Sequence, residues 1–406
     1  MRVVVTHTDF RLYWPARLSA LLAFAKTQGA DLQVIEISGR GSPYAFAGTV
    51  QAPLDGWRCL FPDSAMEDLS PRQAGKALWN QLDALQPDVV MAGAIAFPSG
   101  ATAVRWCARN GKGCVIFDDV RCKDVPRPFL VNWVKRRLYS HAHAMLLPAA
   151  SHVPDYECWG FPRERLFFGL DVVDNTFFRE HADRVRLGGP KKRLDLGIPR
   201  LYFLGVGRLI DKKNWATLIQ AFAHWQSTGK AEPWSLVLAG DGPMRTALEA
   251  SIPEAVKDHV HFVGFKTLEE ICAYYAFAEA LVLPSSHGET WGLVVNEAMA
   301  SGLPVIVSRE CGCAKTLIHE GVNGWTLDPY STGDLAGKLA MMAEKGNAER
   351  KQMGAASQEI IADWDLGRFV QGAWNAIRYA SEAHKRRANL FDSLILSLWH
   401  GRYRPL

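Results

Sequence analysis

Short apolar runs alternate along this chain with longer stretches whose apolar residues recur every three or four positions. In the first half, residues 3–6, 32–37, 88–92, 113–117, 144–147 and 165–168 predict short buried strands. Helical patterns fall between them near 15–27, 71–85, 100–109, 128–139 and 151–159. Strands apolar on both faces and separated by helices make a parallel sheet covered on both sides. The second half repeats the scheme, with strands expected at 201–205, 235–239, 259–263, 280–283, 305–307 and 325–327. No sequence repeat links the halves, so the repetition is one of architecture only.

At 406 residues the chain exceeds one ordinary core and suits two domains of about 150–200 residues each. Residues 179–200, rich in charge and glycine (Gly188-Gly189-Pro190-Lys191-Lys192-Arg193), read as the connector, and their basic run as solvated linker. With 48% apolar and 22% charged residues, the chain has the composition of a soluble globular protein. A formal charge of +4 is far from that of a dedicated nucleic-acid binder, and no nucleic-acid partner is expected. No uninterrupted apolar run of about 18 residues predicts a membrane span. The first residues read as a strand rather than a secretory leader, so the expected location is cytoplasmic. The eight cysteines (Cys59, Cys107, Cys114, Cys122, Cys158, Cys272, Cys311 and Cys313) form no C-x-x-C and read as reduced structural thiols. Cys311-Gly312-Cys313 has no second pair or His at finger spacing, so no metal is expected there.

Candidate chemistry concentrates at 281–307, LVLPSSHGETWGLVVNEAMASGLPVIV. A strand at 281–284 breaks into a polar loop at 285–289. A helix follows at about 292–300, Gly302 and Pro304 end it, and a second strand begins at 305. Glu289 falls in the loop and Glu297 on the helix, with seven residues between them. A strand that runs through a loop into a helix offers N–H donors and partial positive charge to an anion such as a diphosphate. A carboxylate beside that anion cannot hold it, but two vicinal hydroxyls can chelate one carboxylate. A ligand with both phosphate and sugar satisfies the two together, which describes a nucleotide sugar.

The Glu pair, followed by Ala298-Met299-Ala300-Ser301-Gly302-Leu303-Pro304-Val305, resembles the donor-site signature of retaining glycosyltransferases of family 4. Other stretches agree in order: Phe203-Leu204-Gly205-Val206-Gly207-Arg208-Leu209 with Lys212-Lys213-Asn214, then Ala239-Gly240-Asp241-Gly242-Pro243, then Glu320-Gly321-Val322-Asn323-Gly324. Val173-Asp174-Asn175 with Phe178 resembles the segment that ends the family's acceptor domain. The resemblance implies an α/β fold of the GT-B type, two Rossmann-like parallel-sheet domains facing each other across a cleft. Residues 1–180 would bind the acceptor and 181–375 the nucleotide-sugar donor, while 376–406 would form a terminal helix packing back on the first domain. The implied activity moves a hexose-like unit from a nucleotide diphosphate sugar to a hydroxyl of a glycan or lipid-linked acceptor. It proceeds with retention and needs no metal or other cofactor.

By the same resemblance, Arg208 and Lys213 bind the diphosphate, with Lys212 as a neighbour able to replace the latter. Fixed cations there would stabilise the leaving group as its charge develops. Surface salt bridging is the plain alternative. Gly205-Val206-Gly207 is no dinucleotide fingerprint, because Ile210 stands where the third glycine would fall. Glu297 is expected to chelate the ribose diol, and Glu289 to contact the transferred sugar near the reacting carbon. Their plain readings are an exposed helix residue and a charge facing the helix dipole. Gly207, Gly240 and Gly242 would line the donor site, and the backbone of Thr290, Trp291, Gly292 and Leu293 the phosphate cradle. The Trp291 ring either walls off the sugar or simply packs.

The first domain departs from the commonest family pattern. Its first loop, His7-Thr8-Asp9-Phe10-Arg11, has no glycine, and Phe117-Asp118-Asp119-Val120-Arg121 stands where a His is frequent. Asp119 could contact the donor sugar or orient the acceptor hydroxyl, or Asp118 and Asp119 could cap the segment leading to the next helix. His7, Asp9 and Arg121 are the acceptor-side candidates, with Arg121 or Arg127 attracting an anionic acceptor. In the tail, Lys385-Arg386-Arg387 precedes Leu390, Phe391, Leu394, Ile395, Leu398 and Trp399, a helical apolar face. That face either packs on the core or makes a peripheral contact with the inner face of a membrane. A nucleotide-sugar epimerase and a non-catalytic nucleotide-sugar binding module remain the competing readings.

Overall fold

The computed structural model describes residues 1–40, 55–124, 127–228, 234–383 and 388–402. Two compact units divide the chain, one of residues 1–172 with 366–406 and the other of residues 173–365. In the first, the strands are β1 (Arg2–His7), β2 (Asp31–Arg40), β3 (Trp57–Ala65), β4 (Val89–Ala92), β5 (Gly113–Phe117), β6 (Ala144–Leu147) and β7 (Leu166–Phe168). All pair in parallel, in the order 3-2-1-4-5-6-7. Strands β4, β5 and β6 are buried along their whole length, as the continuous apolar runs required.

Strand β3, which contains Pro62 and Asp63, was not among the expected strands. It is an edge strand, where a missing N–H and a solvated carboxylate are tolerated. Its pairing with β2 shifts register between Ser38 and Arg40, beside that proline.

The second unit holds β8 (Tyr202–Val206), β9 (Ser235–Ala239), β10 (Val260–Gly264), β11 (Ala280–Leu283), β12 (Val305–Ser308) and β13 (Gly324–Leu327). They are parallel in the order 10-9-8-11-12-13. The architecture is therefore α/β with two parallel sheets. In the second sheet the chain builds away from β8 on one side through β9 and β10, then returns to its other side with β11. That reversal marks the β8/β11 junction as the place where loops diverge beyond the strand ends and a ligand fits.

The stretch expected as a connector is largely helical. The Asn175–Leu187 helix is capped by Asp174, whose Oδ1 accepts from Phe177 N at 3.0 Å. It buries Phe178 and Ala182, one turn apart, and Arg186 donates to the carbonyls of Ala276 and Ser301 at 2.9 and 2.5 Å. Charge on its solvated face hid a packed face, so Val173–Phe178 opens the second unit instead of closing the first. The chain returns to the first unit at Leu366, earlier than residue 376. The Leu366–Glu382 helix buries Phe369, Ala373, Trp374, Ala376, Ile377 and Ala380 among the core residues of β1, β4, β5 and β6.

Candidate active site

At the β8/β11 junction, four loops of the second unit are stitched together. Asn214 takes a left-handed backbone (φ 59°), and its side-chain amide donates to the carbonyls of Pro284 and Pro329 at 3.2 and 2.8 Å. Ser286 N donates to Lys212 O at 2.9 Å, and Lys212 Nζ to Gly288 O at 3.2 Å. Trp215 Nε1 donates to Arg208 O at 2.9 Å, which fixes the backbone carrying that arginine. Leu209 N donates to Asp241 O at 2.9 Å. Gly240 lies against the carbonyl of Gly207 with φ 145°, so any side chain there would both strain the backbone and collide. Gly240 is thus required by the close approach of two loops, and Gly207 by its own positive φ of 149°, whatever they contact in a ligand.

Within this frame Lys213 Nζ stands 2.6 Å from Glu289 Oε2, both side chains nearly buried. Ser285 Oγ donates to the same carboxylate oxygen at 2.9 Å. Burial is the largest single influence on Glu289 and pushes its carboxyl up. The ammonium groups of Lys213 and Lys212 and the Ser285 hydroxyl together outweigh it, and the net shift is down. Glu289 is therefore held ionised. Of the two adjacent lysines, the structure brings Lys213 to the carboxylate and Lys212 to a loop carbonyl.

Glu297 is not the exposed helix residue of the plain reading. It is 2% exposed on the Leu293–Ala300 helix, and Tyr275 Oη donates to its Oε2 at 2.8 Å. Gly292 begins that helix in a left-handed conformation, with no side chain capping it. Trp291 turns inward: its Nε1 donates to Asn296 Oδ1 at 3.0 Å and its ring lies 5.4 Å from that of Trp364. Its ring is a packing element, not a wall for a sugar. Behind the 289–292 segment, Gly312 N donates to Glu289 O at 3.0 Å, and a Cβ at 312 would strike the Thr290 carbonyl. The Cys-Gly-Cys triplet thus supplies a glycine for close approach between two buried thiols.

Tyr275, Ser285 and Gly312 were missed from the sequence. Tyr275 lies on a different helix, 22 residues before Glu297, with no motif around it. Ser285 and Gly312 sit inside or beside recognised stretches, where a small residue carries no distinguishing signal.

In the first unit, His7 ends β1 inside a ring of aromatics. Phe97 and Phe117 lie 5.3 Å away, Phe10 6.0 Å and Trp14 6.3 Å. Burial lowers its pKa, with Asp9 and Asp119 opposing, so the imidazole is neutral at physiological pH. Asp119 also acts on Asp171, which burial and that neighbour push up to about 8 against Arg17, 3.9 Å away. Asp119 thus acts on both His7 and Asp171, and Asp171 had no sequence signal.

Arg121 does not offer a charge to an anionic acceptor. Its guanidinium pairs twice with Asp124, at 2.8 and 2.9 Å, and the residue is 6% exposed. Asp9 approaches Arg11 at 3.3 Å. Asp118 caps no helix: it accepts from Val120 N and Tyr139 Oη, while the Phe129–Tyr139 helix starts at Pro128 without a side-chain cap. Glu36, on β2, is buried, and burial pushes its carboxyl up to about 7 despite a hydrogen bond from Phe10 N at 3.1 Å.

Comparison with known proteins bears on the fold and on the second half of the chain. Structures of similar fold include HepE of Anabaena in complex with UDP and glucose, with a TM-score of 0.70, 17% identity and coverage of 93% of this chain and 99% of that one. Sucrose-phosphate synthase of Thermosynechococcus elongatus superposes with a TM-score of 0.74 at 18% identity, covering 93% and 98%. The fold is that of the GT-B glycosyltransferases. Residues 191–360 match the family model described as glycosyl transferases group 1. Among curated relatives, 2-deoxystreptamine glucosyltransferase of Streptomyces kanamyceticus is 38% identical over 154 residues, 36% of this chain and 38% of that protein. D-inositol 3-phosphate glycosyltransferase of Thermomonospora curvata is 29% identical over 220 residues, 52% and 51% respectively. The chain spans about half or less of the length of these curated relatives.

Two predictions follow from the electrostatics. Lys213→Met strands a buried carboxylate, and chemical denaturation at pH 7 should show a loss of about 3–5 kcal/mol. Because the folded-state pKa of Glu289 is depressed, the pair's contribution is present above the unfolded value near 4.5 and disappears as pH falls through the lower folded value. The variant's deficit should therefore shrink in acid. Glu36 has the opposite sign. Its raised pKa means stability is lost as pH rises from about 4.5 to about 7, by about 3 kcal/mol. Glu36→Gln should flatten that slope, and an unchanged pH profile would show that Glu36 is not held protonated.

Proposed function

We propose that the chain is a retaining glycosyltransferase that uses a nucleotide diphosphate sugar and requires no metal. The observation that carries this reading is the Lys213–Glu289 pair, 2.6 Å apart at the β8/β11 junction, with buried Glu297 on the helix that follows. The complexes of HepE with UDP and with UDP-glucose make a uridine diphosphate sugar the first donor to test.

In this reading Arg208, Lys213 and the first amides of the Leu293–Ala300 helix face the diphosphate. An ammonium has three donors, so Lys213 serves Glu289 and a phosphate oxygen together. Glu297 accepts from the ribose hydroxyls. Glu289, kept ionised by Lys213, accepts from hydroxyls of the transferred sugar. The acceptor oxygen forms its bond to the anomeric carbon on the face the diphosphate leaves. The bond from that carbon to the phosphate oxygen breaks with its electron pair, and that oxygen takes the acceptor's proton. Cations fixed in advance lower the barrier because charge grows on the leaving group during the step. The acceptor is a hydroxyl of a glycan or a lipid-linked sugar.

Arg208→Ala should lower turnover by about 10²-fold or more, on the scale of one preorganised charge, while Glu297→Ala chiefly weakens donor binding. Both are read from initial rates and donor titration, and wild-type kinetics in both variants would refute the site. Dialysis against EDTA should leave the rate unchanged. A rate restored only by a divalent ion would contradict a diphosphate clamp built from side chains.

A further inference from the structure

Exposed apolar side chains gather on one part of the first unit. Phe129 is 79% exposed and Leu130 71%, with Trp133 beside them on the Phe129–Tyr139 helix. On the Leu390–Leu398 helix, Leu390 (93%), Leu394 and Leu398 are likewise exposed. The two helices touch, and the rings of Trp133 and Phe391 lie 5.9 Å apart, so the exposed residues form one surface.

Both helices carry apolar residues where a free surface helix carries polar ones. The Leu390–Leu398 helix is seated through Leu396 and half-buried Ile395, and Trp399 beyond it donates Nε1 to Ile95 O at 2.7 Å. Trp399, expected from the sequence to share an apolar face with Leu390 and Leu394, is turned to the core. Positions 390, 391, 394 and 398 recur on the opposite face at helical spacing. A helix apolar on both faces needs cover on both. The Phe129–Tyr139 helix buries Leu138 and Tyr139 toward its end together with Lys135, whose ammonium lies 3.6 Å from the Trp159 ring centre, while Phe129 and Leu130 at its start face water.

The charges around this surface are cationic. The Phe129–Tyr139 helix carries Lys135, Arg136 and Arg137 and no acid. The one carboxylate of its partner helix, Asp392, points inward and is neutralised by Arg137 at 2.6 Å, with His141 at 3.3 Å. The run Lys385-Arg386-Arg387 precedes that helix in sequence and lies outside the described residues.

We propose that this two-helix face docks on an anionic lipid bilayer. The apolar side chains enter the headgroup boundary and Arg136, the exposed cation of the Phe129–Tyr139 helix, meets lipid phosphates. Among the described residues no helix is long and apolar enough to cross a membrane, so the contact is peripheral. A second copy of the chain fits less well, because a two-fold contact would set like cations against each other. The proposal does not rest on the glycosyl-transfer reading, since binding to a bilayer needs neither donor nor acceptor.

The test is co-sedimentation of the full chain with phosphatidylcholine vesicles, with and without phosphatidylglycerol. Binding is expected only with phosphatidylglycerol and should weaken as salt is added. The double variant Phe129→Ser, Leu394→Ser should lose about tenfold or more in partitioning, with an unchanged melting curve because both residues are exposed. Equal binding by variant and wild type, or no binding by either, overturns the proposal. So does self-association of the wild-type chain that the double variant abolishes without any vesicle binding.

Discussion

A carboxylate taken out of water stays charged only beside a fixed cation, and the candidate site of the second unit is arranged around one such pair. Lys213 and Glu289 come from loops that follow adjacent strands, β8 and β11, and meet at 2.6 Å. The meeting requires that the loops cannot drift. Asn214 supplies much of that restraint by holding the carbonyls of Pro284 and Pro329, the exits of β11 and β13, from a left-handed backbone beside the lysine. Gly240 and Gly312 allow neighbouring loops to approach within contact of Gly207 and Thr290. Removing any of these ties would loosen the ion pair before touching it. A pair with so little solvent contact loses more from a small displacement than a surface pair does.

The second unit was largely legible in the sequence because its site is local. Strand β11, the loop with Glu289 and the helix with Glu297 are consecutive, so pattern and spacing describe them together. The strands at 235–239 and 280–283 match their expected bounds. What escaped notice is what arrives from elsewhere in the chain, such as Tyr275 on Glu297, or what is turned by packing, such as Trp291 against Trp364. Spacing along a helix says which residues share a face. It does not say which face is covered.

The first unit was legible as a sheet but not as a site. Its polar groups lie at the ends of different strands, and each depends on burial rather than on neighbours in sequence. Arg121 reads as a free cation until Asp124 folds back to meet it. Glu36 and Asp171 stand in no motif, yet burial, helped by a neighbouring carboxylate, moves both carboxyls toward neutrality. The boundary near residue 179 was misplaced for a related reason: the charged face of the Asn175–Leu187 helix dominates its composition, while two buried residues and the reach of Arg186 fix it to the second unit.

The same distinction between composition and orientation bears on the cations of the first unit. Lys135 lies under Trp159 near Asp118, and burial lowers its pKa to about 8; its ammonium is turned away from the surface. Arg137 spends its charge on Asp392, and that bond holds the Leu390–Leu398 helix against its neighbour. Of the three cations on the Phe129–Tyr139 helix, Arg136 is therefore the one left exposed, about two turns along from the outward Phe129 and Leu130. An arginine keeps its charge where a lysine would yield it to burial. The inward lysine and the bridging arginine fix the helices, and the outward arginine and apolar side chains are left to meet whatever covers them.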